Sequence, residues 1–237
     1  MPNWEALEKG FTEKLQLKRP PVAVTFLDSP SPAGVEPFKG SAPASCSFWK
    51  LAADGRVFST VAADHYNCPI GAHTQNLPLP EARAKETEKT LGMMFELGYI
   101  RPEEVGGIPT LAKTPVSIVY APLGRTPVAP SVVLFICPAS SAMLLNEAAT
   151  RAGSGGSLPV LGRPTCMALP AALAKGTVAS LGCIGNRVYT GIRDDEFYFV
   201  VPATDLERVA EALGVIAGAN AALAEYARGK LVQLTAN

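Results

Sequence analysis

The sequence is 237 residues long, room for one large domain or two small ones. Hydrophobic residues make up 48% and charged residues 18%, which excludes a disordered or purely solvating chain. Lys and Arg number 21, Asp and Glu also 21, so no net charge points to nucleic acid or an anionic membrane as partner.

Gly and Pro, 21 each, predict many turns. Met1-Pro2-Asn3-Trp4-Glu5 carries no charged segment leading into an apolar one, so no secretory leader is expected. The longest apolar run, Val132 to Ile136, falls far short of the ~20 residues of a membrane span. These readings predict a soluble, cytoplasmic protein. In that compartment the five cysteines are thiols, metal ligands or catalytic groups rather than disulfides.

In chain order, Leu7, Phe11 and Leu15 mark an amphipathic helix over Trp4 to Leu17, stopped by Pro20 and Pro21. Val22 to Leu27 reads as a strand, and Asp28 to Pro43 as a Pro-, Gly- and Ser-rich loop. Cys46 to Ala53 reads as a helix that Ser45 can cap and Gly55 ends. Arg56 to Val61 is β-like, and His65 to Gly71 reads as a turn. Pro80 to Leu97 is a helix ended by Gly98, and Arg101-Pro102 opens a short one.

Val116 to Tyr120 and Ser131 to Cys137 are strands, the second apolar enough for burial on both faces. Ser140 or Ser141 can cap a helix running through Ala149, and Gly153 to Ser157 reads as a loop. A helix over Cys166 to Leu173 and strands over Thr177 to Leu181 and Phe197 to Val201 follow. A long helix over 204–230 closes the chain, with Thr204 and Glu207 at the capping-box spacing. Interspersed helices and strands predict a mixed α/β arrangement of the α+β class.

The sequence echoes itself. Cys46, an Ala- and Leu-containing helix, Gly55, a β-like segment, then Cys68 and Gly71 match Cys166, a similar helix, Gly176, a β-like segment, then Cys183 and Gly185. Upstream, Lys18 to Phe26 resembles Lys113 to Tyr120. Short Ala, Gly and Val segments also match by chance. The echo predicts two pseudo-symmetric halves, 18–100 and 113–202, fused in one domain spanning 1–237.

The echo groups four cysteines, Cys46, Cys68, Cys166 and Cys183, which a twofold arrangement brings to one seam or leaves as two pairs. Four thiolates suit zinc in a tetrahedron or a [4Fe–4S] cluster with one thiolate per iron. No Cys-x-x-Cys occurs, which is less typical of zinc ribbons than of a cluster at a seam. Four separate buried thiols are the plain alternative. Cys137, at the end of an apolar strand, reads as a core residue.

His65 and His73 flank Cys68 and are candidate ligands, relays or hydrogen-bond partners of the site; loop histidines are the plain alternative. Arg163, Asn186 and Arg187 lie close in sequence to Cys166 and Cys183. The arginines can clamp an anion there or pair with Asp194, Asp195 or Glu196. Gly153 to Ser157 lacks a phosphate-loop ending, and no Gly-x-Ser-x-Gly elbow or nicotinamide fingerprint occurs.

The runs Cys46…Lys50-Leu-Ala-Ala-Asp-Gly55, Cys68-Pro-Ile-Gly71-Ala72 and Leu181-Gly-Cys-Ile-Gly-Asn-Arg-Val-Tyr-Thr-Gly191 resemble the DUF169 family. The resemblance spans roughly Leu17 to Pro202. It places the four cysteines in family motifs and implies no particular activity.

The residues together predict an iron–sulfur protein, with Cys46, Cys68, Cys166 and Cys183 on one cluster and a redox or electron-transfer role. The alternatives are a zinc protein, structural or hydrolytic, and a module that binds a small molecule or tetrapyrrole without chemistry of its own. A redox partner or a small-molecule ligand is expected, and a homodimer only because twofold dimers are common.

Overall fold

Seven strands form a single sheet in the order β2-β3-β1-β4-β7-β6-β5 in the computed structural model, which describes residues 2–155 and 159–235. Helix α1 (Trp4–Leu15) leads into β1 (Val22–Leu27). Then come α2 (Ser45–Ala53), β2 (Phe58–Thr60), α3 (Pro69–Thr74), α4 (Glu81–Glu96), α5 (Pro102–Val105) and β3 (Ser117–Pro122). The second run is β4 (Val132–Pro138), α6 (Ala139–Ala152), β5 (Val160–Leu161), α7 (Ala168–Lys175), β6 (Val178–Ser180), α8 (Ile184–Thr190) and β7 (Glu196–Pro202). Helix α9 (Leu206–Thr235) closes the chain. The fold is α+β.

The two runs have one topology. In the first, β1 leads through α2 to β2 and through α3 to β3, and β3 pairs antiparallel with both β1 and β2. In the second, β4 leads through α7 to β6 and through α8 to β7, and β7 pairs antiparallel with both β4 and β6. The opening strands meet antiparallel at the centre, Ala23 opposite Val133. Register repeats as well. Tyr120 pairs with Val24 and Phe58, as Val200 pairs with Leu134 and Val178.

This register locates the repeat unit. Strand β3 closes the first unit rather than opening the second, so the sequence likeness of Lys18–Phe26 to Lys113–Tyr120 does not mark equivalent strands. The equivalent of β1 is β4. Cys46 stands twelve residues before Phe58, and Cys166 twelve before Val178, so those cysteines are equivalent.

Alternation along the strands sends side chains to two cores. On one face Val22, Tyr120, Leu134 and Tyr198 pack against Phe48 and Trp49 of α2 and Leu169 of α7. On the other, Ala23, Val133, Phe135 and Phe199 pack beneath α1, α6 and α9. Cys137 points into this second core, fully buried, as its place in an apolar strand predicts. β4 is buried on both faces, which explains its unbroken run of apolar residues.

Several local expectations change. Ala44, not Ser45, is the N-cap of α2. The turn at His65–Gly71 contains the start of α3, where Pro69 occupies the first helical position. Ser141 donates to the Leu15 carbonyl instead of capping α6. Thr204 lies in a 3-10 turn before α9. The predicted Gly153–Ser157 loop lies partly outside the described residues; Gly153 itself, at φ 66, ends α6. Among the described residues no helix is long and apolar enough to cross a membrane.

Candidate metal centre

Cys46 is the second residue of α2. Ser45 before it turns its hydroxyl to His65 Nδ1 at 2.9 Å, and His65 Nε2 meets Thr60 Oγ1 at 2.9 Å. The imidazole packs on Phe48 with ring centroids 4.8 Å apart. Burial lowers the His65 pKa to about 3, so the ring is neutral, one nitrogen donating and the other accepting. Both nitrogens are spent inside the fold. His65 therefore holds Ser45, and with it the head of α2.

Cys68 is the N-cap of α3, and its N–H donates to the His65 carbonyl at 2.9 Å. Gly71, one turn on, packs against Ser45 and the Cys68 sulfur. The second unit repeats the plan with different partners. Thr165 precedes Cys166 as Ser45 precedes Cys46, and its hydroxyl accepts from the Cys183 N–H at 2.6 Å. Cys183 is the N-cap of α8, as Cys68 is of α3.

The units interlock at the site. Helix α2 touches α8, and α3 touches the 3-10 turn Thr165–Met167. Asn186 of α8 lies beside Cys46 and Thr74 of α3 beside Cys166, each favouring the thiolate; the Asn186 Oδ1 is buried without a hydrogen-bond partner among the described residues. Asn186 is itself fixed by donating to the Tyr198 hydroxyl at 2.9 Å. Gly182 makes room for it: at φ 78, a Cβ there would sit 2.8 Å from Asn186 Oδ1.

All four predicted cysteines line one cavity of about 300 Å³. Each sits at or beside the start of a helical segment, where the amides of the first turn lack an intrahelical acceptor and carry partial positive charge. Burial pushes the Cys46 thiol up to about 12, and the charges of Cys68 and Cys183 add to that rise while Asn186 opposes it. Burial also raises the Cys166 thiol, with the nearby Cys68 charge, against Thr74. Cys46 and Cys166 are thus thiols at neutral pH.

The outer wall is mostly apolar and comes from α4, α5 and the segment between them, including Leu91, Met94, Ile100 and Val105. Arg163 also lines the cavity. It pairs with Glu104 at 3.1 Å and lies over the Tyr99 ring at 4.8 Å, so its partner is not the predicted Asp194, Asp195 or Glu196. Arg187 does pair with Asp194, at 3.7 Å, and donates to the Leu181 carbonyl. Neither Arg187 nor the exposed His73 is among the cavity-lining residues, and His65 lies behind Ser45.

Sequence reasoning missed Thr74, Thr165 and Glu104. Thr165 was within reach: the echo begins one residue earlier, with a hydroxyl before each cysteine. Glu104 was not, because it meets Arg163 across 59 residues of chain. Among the described residues, no three His, Cys, Asp or Glu side chains close on one point as a single metal ion requires.

A model of the DUF169 family, described as "Uncharacterised ArCR", matches residues 10–212. "Uncharacterized protein MJ0308" of Methanocaldococcus jannaschii is 27% identical over 220 residues, covering 86% of this chain and 91% of the relative. No solved structure matches.

Proposed function

We propose that this chain, which belongs to the DUF169 family, holds an iron–sulfur cluster of the [4Fe–4S] type between its two repeated units and serves a redox role. The observation that carries the reading is that Cys46, Cys68, Cys166 and Cys183, two from each unit, line a single cavity. Thiolate is the ligand such clusters take, one per iron.

The open volume between the four cysteines favours a cluster over zinc. A tetrahedral zinc with ~2.3 Å bonds to sulfur draws its thiolates to about 3.8 Å from one another. A cube needs its four ligands around a larger body, and a cavity between them. The partial positive charge of the helix starts favours an anionic group, and the apolar wall keeps water from it.

When bound, such a cluster supplies one-electron transfer. The protein's own contribution is to fix the thiols and exclude water. Asn186 and Thr74 lie beside Cys46 and Cys166 and favour their thiolates. Four-cysteine ligation leaves no open iron, so the reading is electron transfer first, with a small molecule in the apolar part of the cavity as its extension. All five cysteines are free, and the proposal places the protein in the reducing cytoplasm.

The deciding experiment is iron and sulfide analysis, with a visible spectrum, on protein made in an iron-supplied host and purified without oxygen. About four irons and four sulfides per chain, with absorption that bleaches on reduction, is the expected result. Zinc alone overturns the reading, as does an organic chromophore without iron.

A further inference from the structure

The two units differ most where each returns to the sheet. In the second, α8 reaches β7 through residues 191–195 alone. In the first, residues 75–116 stand between α3 and β3 and include α4 and α5. The second unit builds its strands and its two cysteines without such an insert, so neither depends on one.

The insert is fixed at its two ends. Leu77 and Leu111 are buried, and the Leu111 N–H donates to the Thr74 carbonyl at 2.9 Å. Over residues 78–110, between those anchors, no residue is buried. Leu91, Met94, Ile100, Val105 and Ile108 are half-buried, and all five line the cavity that the cysteines share. Protein interiors are close-packed. Aliphatic side chains that face a cavity lack packing contacts on that side, and an apolar molecule there supplies them. At about 300 Å³ the cavity is roughly twice the ~150 Å³ that admits benzene, and it reaches the lower end of the range for small-molecule sites.

Charge narrows the class of molecule. Apart from the cysteines, the charged side chains of the lining are Glu104 and Arg163, and they pair with each other at 3.1 Å. An anion would meet the negative charge of the thiolate site, and a cation would leave water for an aliphatic wall. We infer that the insert of the first unit makes the outer part of the cavity a binding site for an uncharged, mainly apolar molecule of about one or two rings. The inference rests on the reading of the cavity given above, in which the cluster lies beside the bound molecule.

The test is calorimetric titration of the full chain without oxygen, with iron measured on the same sample. The probes are 1-naphthol, 1-naphthoate and 1-naphthylmethylammonium, one ring system in uncharged, anionic and cationic form. 1-Naphthol should bind with a Kd below about 1 mM, at least about tenfold tighter than either ion. Met94→Asp places a charge in the lining and Val105→Trp fills part of the cavity. Each should weaken 1-naphthol binding at least about tenfold, with circular dichroism unchanged. Leu97→Asp, on the residue after α4, 73% exposed and outside the lining, should leave binding within about twofold of the wild type.

Protein that binds none of the three probes up to about 1 mM would overturn the inference, whatever iron it holds. Equal affinity for the three, or binding that survives both lining variants, would overturn it as well. Iron-free protein that binds 1-naphthol with the expected selectivity would support the binding site and overturn the cluster instead.

Discussion

Gly71 of α3 packs directly on Ser45 at the head of α2. A Cβ at Gly71 would stand 2.6 Å from the Ser45 Cβ and 3.0 Å from the Cys68 sulfur. The backbone at Gly71 is ordinary helix, so the demand is for space alone. Gly71→Ala should cost roughly 1–3 kcal/mol by overpacking, and it should push Cys68 and Cys46 apart. The expected result is a folded protein, by circular dichroism, with iron reduced by about half or more. Full iron in that variant would mean that the contact between α2 and α3 does not position the thiols.

The five cysteines divide by face of the sheet. Serine at Cys46, Cys68, Cys166 or Cys183 should each lower iron and sulfide content. Cys137→Ser, in the opposite core, should leave both at the wild-type level. It should instead lower stability by roughly 1–3 kcal/mol, because a hydroxyl replaces a buried thiol among apolar neighbours. Metal analysis and thermal melts on the same five proteins check both halves. Equal loading in all five would remove the four-cysteine assignment.

His65 makes folding depend on pH. Its pKa is about 3 in the fold against an ordinary 6.5. Between these values the unfolded chain binds a proton that the folded chain refuses, so stability rises with pH across the window. This contribution is fully present above 6.5. It is lost as pH falls toward 3, at about 1.4 kcal/mol per pH unit. Urea unfolding at pH 7.5, 6.0 and 5.0 should show that fall. His65→Gln should flatten it at the cost of a lower baseline; an equally steep fall in the variant would assign the effect elsewhere.

Arg163 ties the outer wall of the cavity to the second unit. Its pair with Glu104 is partly exposed, at 39% and 34%, and contributes at most about 1 kcal/mol, with a similar amount from Tyr99. Helix α4 has no fully buried residue, so little else holds that wall. Arg163→Ala should therefore speed hydrogen exchange in α4 and α5 by about fivefold while the sheet exchanges as before. Unchanged exchange in α4 and α5 would show that the wall is held by its apolar contacts.

Legibility followed length and periodicity. β1, β4 and α1 were readable from runs or periods of apolar residues, and α4 from a long stretch rich in the helix formers Glu, Lys and Ala. Helices α3 and α8, with 6 and 7 residues, are too short to show one, yet they carry Cys68 and Cys183 at their N-caps. The convergence of the four thiols was readable as one outcome of the internal echo, and only the strand register decided which segments are equivalent. Asn186 was readable by its place after Cys183, and Thr165 was within reach of the echo, but Thr74 was not, and the bond of Asn186 to the Tyr198 hydroxyl depends on tertiary placement.

The central pairing of β1 with β4 has a bearing on ancestry. A chain one unit long would present only two thiols, and would complete the set of four by meeting a second copy edge to edge at that strand pair. Joining the units covalently makes the second half-site available at a fixed effective concentration, whatever the protein level in the cell. It also releases each unit from having to match the other. The two copies have used that freedom: a buried imidazole braces the first half-site, and a threonine hydroxyl bound to the Cys183 amide braces the second.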